Sequence, residues 1–473
     1  MNRKTYITTT LPYVNAEPHI GFALEIIQAD IYARFLRSRG DEVFFNFGTD
    51  EHGQKIYEKA KENNEDTQAY VDRYAAKFDA LKKALNLTYN NFIRTTDPHH
   101  IMAAQEFWKK CETTGDIYKK NYKVKYCIGC ELEKTDSELV DGRCPIHPNK
   151  ELELREEENY FFKFSKYQND LLELYRNVPD FVLPESRSHE IKKFVEGGLE
   201  DFSISRLKTK MPWGIEVPGD PDQVMYVWFD ALINYISAIG WPDRVEEFNS
   251  WWPVIQFAGK DNLRQQSAMW QTMLKSAGLP YSKQIIIHGF ITSGGQKMSK
   301  SLGNVINPFE MVEKYSTDAL RYFLSREMTP FEDGDFTEAR FKEAYNAGLA
   351  NGLGNTSSRI LKMAESYLQV PVDVGEATIP EEYSKFVEGL DLNKAMDLIW
   401  SKLTEMDQII QETQPFKLIK INKESAIAIV TDLVKKLFVI SKMLEPFMPE
   451  TAVKIQEAIK ANKLTTPLFM RKE

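Results

Sequence analysis

The sequence predicts an α/β fold in its first part and an all-α bundle in its last part. Short β-branched and aromatic segments alternate with helical patterns at residues 5–47, and this alternation returns at residues 224–287. Between them, the region at about 116–215 is irregular and holds three of the four cysteines, as expected of an insertion. From about residue 345 onward, long amphipathic helical patterns predominate. We therefore expect a Rossmann-like sheet domain that is split by an insertion and followed by helices.

The first fifty residues have the strand–helix–strand order of a parallel sheet. Thr5–Thr9 and Val43–Phe47 are rich in β-branched and aromatic residues. Apolar residues recur between them at helical spacing, namely Leu24, Ile27, Ile31 and Phe35. Ligands bind beyond the carboxyl ends of parallel strands, and His19 and Asp50 lie at such ends. We expect both residues to face a ligand.

In the second half of the sheet domain, three further segments read as strands. They are Val224–Trp228, Val254–Phe257 and Gln284–Ile287. Helical patterns follow the first two. In the last part of the chain, the patterns at 350–368 and 425–444 predict long amphipathic helices.

Composition places the chain among water-soluble globular proteins of several domains. Its 473 residues are too many for one core, and 42% of them are hydrophobic while 27% are charged. No apolar run has the length of a membrane span, and the polar start has no signal-peptide core, so we expect a cytoplasmic protein without a membrane partner. The net charge of −9 disfavours a nucleic-acid partner, but residues 415–473 hold 11 basic against 6 acidic side chains. That local excess fits either a binding surface or a solvated helix face.

Two knuckle-like pairs in the insertion predict a metal site. Cys127 and Cys130 form one pair, and Cys144 and His147 form the other. Four such ligands suit tetrahedral Zn2+ and leave no position for water, so the site should be structural. A disulfide or buried thiols are the alternatives, although a reducing cytosol disfavours a disulfide. The remaining cysteine, Cys111, fits the core.

Two segments 278 residues apart are suited to phosphate. His19 precedes a helix start and can donate to a phosphate, while Gly21 lets a nucleotide approach the backbone. The second segment, residues 294–301, combines two glycines with Lys297 and Lys300, which can follow a triphosphate as it becomes pyrophosphate. Each segment taken alone also fits an ordinary solvated loop.

Taken together, these motifs carry a family resemblance. Residues 11–21, 48–53, 226–231, 259–261 and 297–301 resemble the substrate-site and ATP-site segments of the bacterial methionyl-tRNA synthetases, which are class I aminoacyl-tRNA synthetases. The resemblance covers nearly the whole chain, and the insertion resembles the single-knuckle zinc form of that family. It implies a Rossmann-like parallel-sheet catalytic domain split by a zinc-containing insertion, followed by an all-α anticodon-binding bundle. There is no room for the large editing domain of the isoleucine, valine and leucine enzymes.

The resemblance also implies domain boundaries. The catalytic domain would comprise residues 1–115 and 216–295, on either side of the connective insertion with its zinc knuckle at 116–215. A mobile loop and stem-contact region would span 296–345. The anticodon-binding domain would span 346–473.

By the same resemblance, the chain would be a methionine–tRNA ligase. It would activate L-methionine with Mg2+-bound ATP to methionyl-adenylate and transfer the methionyl group to the 3′ end of tRNA(Met). The implied ATP-site residues are His19, Gly21, Lys297, Ser299 and Lys300. The implied methionine-site residues are Leu11, Tyr13, Asp50, Trp228, Ala231, Leu232, Tyr235, Gln266 and Trp270. The implied anticodon-reading residues are Asn355, Arg359 and Phe416.

Three positions depart from the family pattern. Phe22 stands where the family commonly has the last histidine of its first ATP motif, and Gln266 replaces a usual pocket histidine. Pro415-Phe416 stands in place of a Pro-Trp pair, although Phe416 can still stack on a base. These departures keep a non-catalytic tRNA-binding relative as an alternative, beside a class I ligase for another apolar amino acid or a general nucleotidyltransferase. No extra domain follows the bundle, so a monomer is expected.

Overall fold

A parallel sheet forms the centre of the first part of the chain, as predicted. The computed structural model describes residues 3–130, 132–134, 138–298 and 303–473. Six strands pair in parallel across the central sheet. Their order across the sheet is Asn91–Arg94, Glu42–Thr49, Lys4–Thr9, Val254–Gly259, Gln284–His288 and Val182–Leu183.

The order of these strands reverses beside Lys4–Thr9. The chain builds the sheet outward from this strand in one direction, and after the insertion Val254–Gly259 pairs with its other edge. Every residue of Val254–Gly259 is buried, as is typical of strands covered on both faces. A crevice therefore opens at the carboxyl ends of these two strands, where open α/β sheets bind ligands.

Helices cover both faces of this sheet. The longest, Ile20–Ser38, begins with His19 as its N-cap and buries Leu24, Ile27 and Ile31, as the apolar spacing predicted. The other helices of this part are Gln54–Glu62, Thr67–Asp79, Leu81–Ala84, Pro98–Thr113, Asn234–Ser237, Val245–Trp251 and Trp270–Ser276.

The strand predicted at Val224–Trp228 is correct only in its first residues. Strand Asp220–Met225 belongs to a small antiparallel sheet with Ser205–Leu207 and Glu216–Val217, not to the central sheet. After Tyr226 the chain turns into a short helix, Val227–Ala231. The aromatic run favours a strand by propensity, but tertiary packing of this buried turn overrides it.

The insertion is mainly an antiparallel sheet. Its strands are Ile117–Cys127, Leu132–Lys134, Glu153–Phe162 and Phe202–Ser203. Two helices, Gln168–Asn177 and Glu185–Glu196, lie along the chain between the third and fourth of these strands. Val182–Leu183 lies within the predicted insertion and yet adds the edge strand of the central sheet. The boundaries at 115 and 215 stay predictions.

The last part of the chain is helical, as predicted. Three short strands precede or interrupt it, Ile291–Ser293, Gln296–Lys297 and Gly334–Asp335. Its helices are Pro308–Tyr315, Thr317–Tyr322, Glu338–Ala344, Asn355–Tyr367, Glu381–Glu388, Leu392–Thr413, Pro415–Leu418, Lys423–Leu444 and Pro449–Ala461. A buried ion pair of 2.8 Å between Asp30 and Arg321 joins this part to the first helix. Among the described residues, we find no helix whose length and apolar character would let it cross a bilayer.

Candidate active site

A cavity of about 210 Å3 opens at the sheet's reversal point. Eight of the nine predicted methionine-site residues line it. Its walls come from both halves of the split domain. Its lining consists of Thr10, Leu11, Pro12, Tyr13, Asn15, Phe22, Asp50, Trp228, Ala231, Leu232, Asn234, Tyr235, Asp261, Asn262 and Gln266.

Trp270 is the predicted residue that does not line this cavity. It is fully buried, stacks on Phe107 with ring centroids 5.8 Å apart, and meets the Tyr235 ring edge-on at 5.9 Å. Tyr235 itself lines the cavity. Trp270 therefore supports the wall from behind.

Gln266 belongs to a buried chain of side-chain hydrogen bonds. Its amide nitrogen donates to the Tyr235 hydroxyl at 2.8 Å, and its carbonyl oxygen accepts from Gln256 at 2.8 Å. Ser282 in turn donates to Gln256. A glutamine can both donate and accept here, so the residue in place of the family's histidine holds Tyr235 in a defined orientation.

Asp50 follows directly after strand Glu42–Thr49 and lines the cavity while mostly buried. Its backbone N–H donates to the Pro12 carbonyl at 2.9 Å, and its carbonyl accepts from the Val14 N–H at 3.1 Å. These bonds join the two loops that follow neighbouring strands. They place a carboxylate beside Leu11 and Tyr13.

His19 caps the helix Ile20–Ser38. Its Nδ1 accepts a hydrogen bond from the Gly21 N–H at 3.1 Å. Burial, and to a smaller extent the charge of Lys297, lowers the pKa of His19 to about 4. The ring is therefore neutral at physiological pH. Because Nδ1 is an acceptor, the proton sits on Nε2, which is the donor available to a ligand.

The contacts of His19 explain Gly21 and Phe22. A Cβ on Gly21 would approach the His19 ring to 2.9 Å, so this capped geometry needs glycine. Phe22 stacks on the ring with centroids 4.2 Å apart, and it packs edge-on against Phe78 at 5.4 Å. Phe22 thus replaces a hydrogen-bond donor by an aromatic support for His19.

The second phosphate-suited segment lies close to the first. A Cβ on Gly21 would come within 3.9 Å of the Met298 methyl group, and Lys297 is near enough to affect the pKa of His19. Lys297 ends a hairpin whose turn, Gly294-Gly295, has φ of +63° and +73°, a region that favours glycine. The predicted residues Ser299 and Lys300 lie outside the described residues.

A buried ion pair that the sequence did not indicate lies beside the cavity. His288 Nε2 lies 2.7 Å from Glu25, and His288 Nδ1 lies 2.7 Å from the Gly289 carbonyl. Burial alone would lower the pKa of His288, but the carboxylate raises it above its usual value. Glu25 also accepts hydrogen bonds from the backbone N–H and the hydroxyl of Thr10, which lines the cavity. The pair thus joins the first helix, the cavity wall and the strand that leads to the Lys297 hairpin.

The four predicted metal ligands come together. The candidate ligand atoms of Cys127, Cys130, Cys144 and His147 all lie within 4.8 Å of one another. The Cys130 sulfur is 3.4 Å from that of Cys144 and 3.2 Å from His147 Nδ1. Thiolates bound to one tetrahedral zinc at about 2.3 Å would lie about 3.8 Å apart, so the cluster fits one ion. All four cysteines of the chain lie in its described part, and none forms a disulfide.

Charge and packing suit the histidine of this cluster to metal binding. Burial, followed by the charges of Lys297 and Lys55, lowers the pKa of His147 to about 4, so its ring is neutral and can coordinate. A Cβ on Gly129 would come within 2.3 Å of the His147 ring, which explains the glycine between the first two cysteines. Lys55 Nζ donates to the Gly129 carbonyl at 2.7 Å and attaches the knuckle to helix Gln54–Glu62 beside the central sheet.

The candidate anticodon residues lie on the helical part. Asn355 is exposed and stands one turn before Arg359 on helix Asn355–Tyr367. The Arg359 guanidinium donates to Asp407 at 2.8 Å, and the other Asp407 oxygen accepts from Thr356. Phe416 is 45% exposed on the short helix Pro415–Leu418. Asn355 and Arg359 lie on the helix predicted at 350–368, whereas the short helix of Phe416 lies outside the two predicted helices. Asp407 is the partner of Arg359 that the sequence did not indicate.

Three comparisons with known proteins all match this chain to the same kind of protein. The family model "tRNA synthetases class I (M)" matches residues 5–153 and 133–361. The methionine–tRNA ligase of Thermosynechococcus vestitus is 42% identical over 465 residues, which are 94% of this chain and 88% of that protein. The ligase of Thermotoga maritima is 41% identical over 471 residues, which are 96% of this chain and 74% of that protein.

Solved structures of the same kind of enzyme are similar as well. The Mycobacterium tuberculosis methionyl-tRNA synthetase in complex with methionyl-adenylate superposes with a TM-score of 0.89 at 34% identity, and the match covers 100% of this chain and 99% of that one. Its free form gives a TM-score of 0.83 at 32% identity, with the same coverage.

Proposed function

The chain belongs to the methionyl-tRNA synthetases of class I, and on this premise we propose that it is a methionine–tRNA ligase. It activates L-methionine with ATP and then esterifies tRNA(Met). The observation that carries the proposal is the cavity at the sheet's reversal point, where predicted methionine-site residues from both halves of the domain meet beside His19 and Lys297.

In the first step, the methionine carboxylate attacks the α-phosphate of ATP and pyrophosphate leaves. Asp50 holds the α-ammonium group as an ion pair, which orients the carboxylate for attack. The thioether chain lies among Tyr13, Trp228 and Tyr235, because sulfur gains from aromatic contacts. The reaction needs no protein nucleophile, so the work of the site is positioning and charge stabilisation.

The phosphates are held by the His19 corner and the Lys297 hairpin. The neutral His19 ring donates from Nε2, and the N-terminus of helix Ile20–Ser38 favours the anion. Lys297 supplies positive charge as the pyrophosphate develops. By the family pattern we add Ser299 and Lys300 to this set. Mg2+ accompanies ATP and neutralises part of its charge.

In the second step, the terminal ribose hydroxyl of tRNA(Met) takes the methionyl group. Asn355 and Arg359 read unpaired anticodon bases by hydrogen bonds, and Phe416 offers a stacking face. Asp407 holds the guanidinium of Arg359 in one orientation. The basic excess of residues 415–473 supplies phosphate contacts.

We assign one structural Zn2+ to Cys127, Cys130, Cys144 and His147, because four closed ligands leave no position for substrate. Metal analysis of the purified protein should give about one zinc per chain. Cys144→Ser should abolish it, whereas Cys111→Ala, a buried cysteine outside the cluster, should keep it. Zinc retained by Cys144→Ser would contradict the ligand set. We propose a cytoplasmic location, where cysteines stay reduced, and we expect a monomer.

ATP–pyrophosphate exchange tests the function and its alternatives in one assay. We expect exchange with methionine and far slower exchange with leucine, isoleucine, valine or norleucine. Faster exchange with another apolar amino acid would indicate a ligase for that amino acid. A non-catalytic relative would shift tRNA in a gel but exchange pyrophosphate with none of them. Exchange followed by methionylation of tRNA(Met), and not of other tRNAs, would establish both steps.

A further inference from the structure

A buried carboxylate flanked by two histidines spans the split in the catalytic domain. Asp230 is fully buried, and its Oδ2 lies 2.7 Å from His52 Nδ1. Its Oδ1 lies 2.8 Å from His100 Nε2. We call these three residues the His–Asp–His clip. His52 and His100 precede the insertion and Asp230 follows it, so the clip joins the two halves of the domain.

The hydrogen bonds of the clip have defined donors. Burial by itself would raise the pKa of Asp230, but the two imidazoles lower it below its usual value, so the carboxylate is ionised. An ionised carboxylate only accepts, and each of its oxygens therefore takes one ring N–H. His52 donates from Nδ1 and His100 from Nε2. The second ring nitrogen of His100 lies 3.0 Å from the Ser237 hydroxyl.

Two members of the clip are next to cavity-lining residues along the chain. His52 follows Asp50 by two residues, and Asp230 lies between Trp228 and Ala231 on helix Val227–Ala231. The segment after Asp50 is also held on its other side, because Glu51 accepts two hydrogen bonds from Arg94. A change in the clip would therefore shift the Asp50 wall relative to the Trp228 wall, and not simply loosen the whole domain.

We propose that the His–Asp–His clip positions these two walls and so sets the affinity of the site for methionine. The proposal rests on the proposed function, since it names what holds that same site in shape. The clip residues are positioning residues: each acts through Asp50 or Trp228. Losing one charge-assisted hydrogen bond in a buried site should weaken methionine binding about tenfold or more.

Matched amide substitutions test the clip without removing its polarity. Asparagine places its N–H near the position of histidine Nδ1, whereas glutamine places it near that of Nε2. We therefore expect His52→Asn to bind methionine nearly as wild type and His52→Gln to bind about tenfold more weakly. The preference should reverse at the other histidine, with His100→Gln tolerated and His100→Asn impaired.

The measurements are the Kd of methionine by equilibrium dialysis, the KM of ATP in pyrophosphate exchange, and the thermal midpoint. The proposal expects the crossed pattern in methionine affinity with an ATP KM within about twofold of wild type. As a control for general destabilisation, Asp30→Asn disrupts a comparably buried ion pair with Arg321 far along the chain. It should lower the thermal midpoint and leave methionine affinity unchanged.

Equal methionine affinity in all four histidine variants would overturn the proposal. So would parallel losses for methionine and ATP, or a loss in Asp30→Asn as large as in His52→Gln, because each would show a purely structural role. The donor assignment is wrong if neither histidine shows the expected preference between asparagine and glutamine. It is also wrong if only the variants predicted to be tolerated fail to fold. Failure of the proposed function is separate, since wild type would then show no methionine-dependent exchange.

Discussion

The proposed methionine cavity and the proposed anticodon face of the bundle differ in how their side chains are held. Around the cavity, side chains from distant segments are buried and tied to one another, as Gln266 is to Tyr235 and Glu25 is to His288. On the bundle, Asn355 is exposed, Phe416 is 45% exposed, and Arg359 has its ion pair with Asp407.

The difference follows from the size of the two proposed partners. A small ligand can supply little binding energy, so its site must be formed in advance, concave and largely dry. A tRNA buries a large surface and brings its own unstacked bases, so exposed aromatic and polar groups suffice. Substitutions in the cavity should therefore impair the first chemical step, and substitutions on the bundle should impair only recognition of tRNA.

The largest effect is expected from Lys297→Ala. Loss of a charge that stabilises the developing pyrophosphate should lower the exchange rate about 100- to 1000-fold, with the Kd of methionine unchanged. Lys109→Ala, which removes an exposed lysine paired with Glu106 on helix Pro98–Thr113, is the control and should retain full activity. Full exchange activity in Lys297→Ala would remove this residue from the phosphate site.

The comparison is tested most directly by Arg359→Ala. The kcat/KM of tRNA methionylation should fall about 10- to 100-fold, because a contact to an unpaired base is lost, while pyrophosphate exchange should stay at the wild-type rate. Lys362→Ala, at an exposed position on the same helix, is the matched control. Equal losses in both assays would assign Arg359 to folding, and the contrast between the two regions would not hold.

A smaller effect is expected from Phe22→Ala. This change removes the ring that stacks on His19 and packs against Phe78, and aromatic pairs of this kind contribute about 0.5–1.5 kcal/mol. Exchange should slow about two- to tenfold through looser placement of His19. Phe22→Tyr, which keeps the ring, should be close to wild type. If both variants were equally slow, the stacking would not be the function of Phe22.

The smallest effect concerns the pH dependence of stability. His19 has a folded-state pKa of about 4 against an ordinary value of 6.5, so the unfolded chain binds more protons between these values. The neutral, partly buried ring therefore contributes stability above pH 6.5 that is lost as pH falls toward 4. His19→Gln removes this titration, so the thermal midpoint of the variant should fall less than that of wild type between pH 7 and pH 5. The same slope in both proteins would show that His19 is not buried in neutral form.

Much of the site followed from sequence because its residues stand in short motifs. The motifs at residues 11–21 and 297–301 predicted His19 and Lys297, and the knuckle spacing predicted all four metal ligands. Pairs between distant segments could not be found in this way. His52 and Asp230 are 178 positions apart, and Glu25 and His288 are 263 positions apart. A histidine or glutamate on an apolar stripe shows no partner in the sequence.

Propensity also failed where packing decided the outcome. Val224–Trp228 has the composition of a strand, yet the chain becomes a helix at Val227, which turns Trp228 and Ala231 toward the cavity. Trp270 and Trp228 are the same residue type, but Trp270 supports the core and Trp228 lines the cavity. Composition does not separate these roles, since both side chains are large and apolar.

By itself, the sequence determined the parallel sheet, the knuckle and the helical last part, because periodicity and ligand spacing are local properties of a chain. It also determined which hydrogen-bonding and charged groups the two phosphate-suited segments contain. Only the tertiary structure decided which histidine is neutral, which one is paired with a carboxylate, and which aromatic side chain lines the cavity. Those properties depend on burial and on partners more than a hundred residues away, and both exist only once the chain has folded.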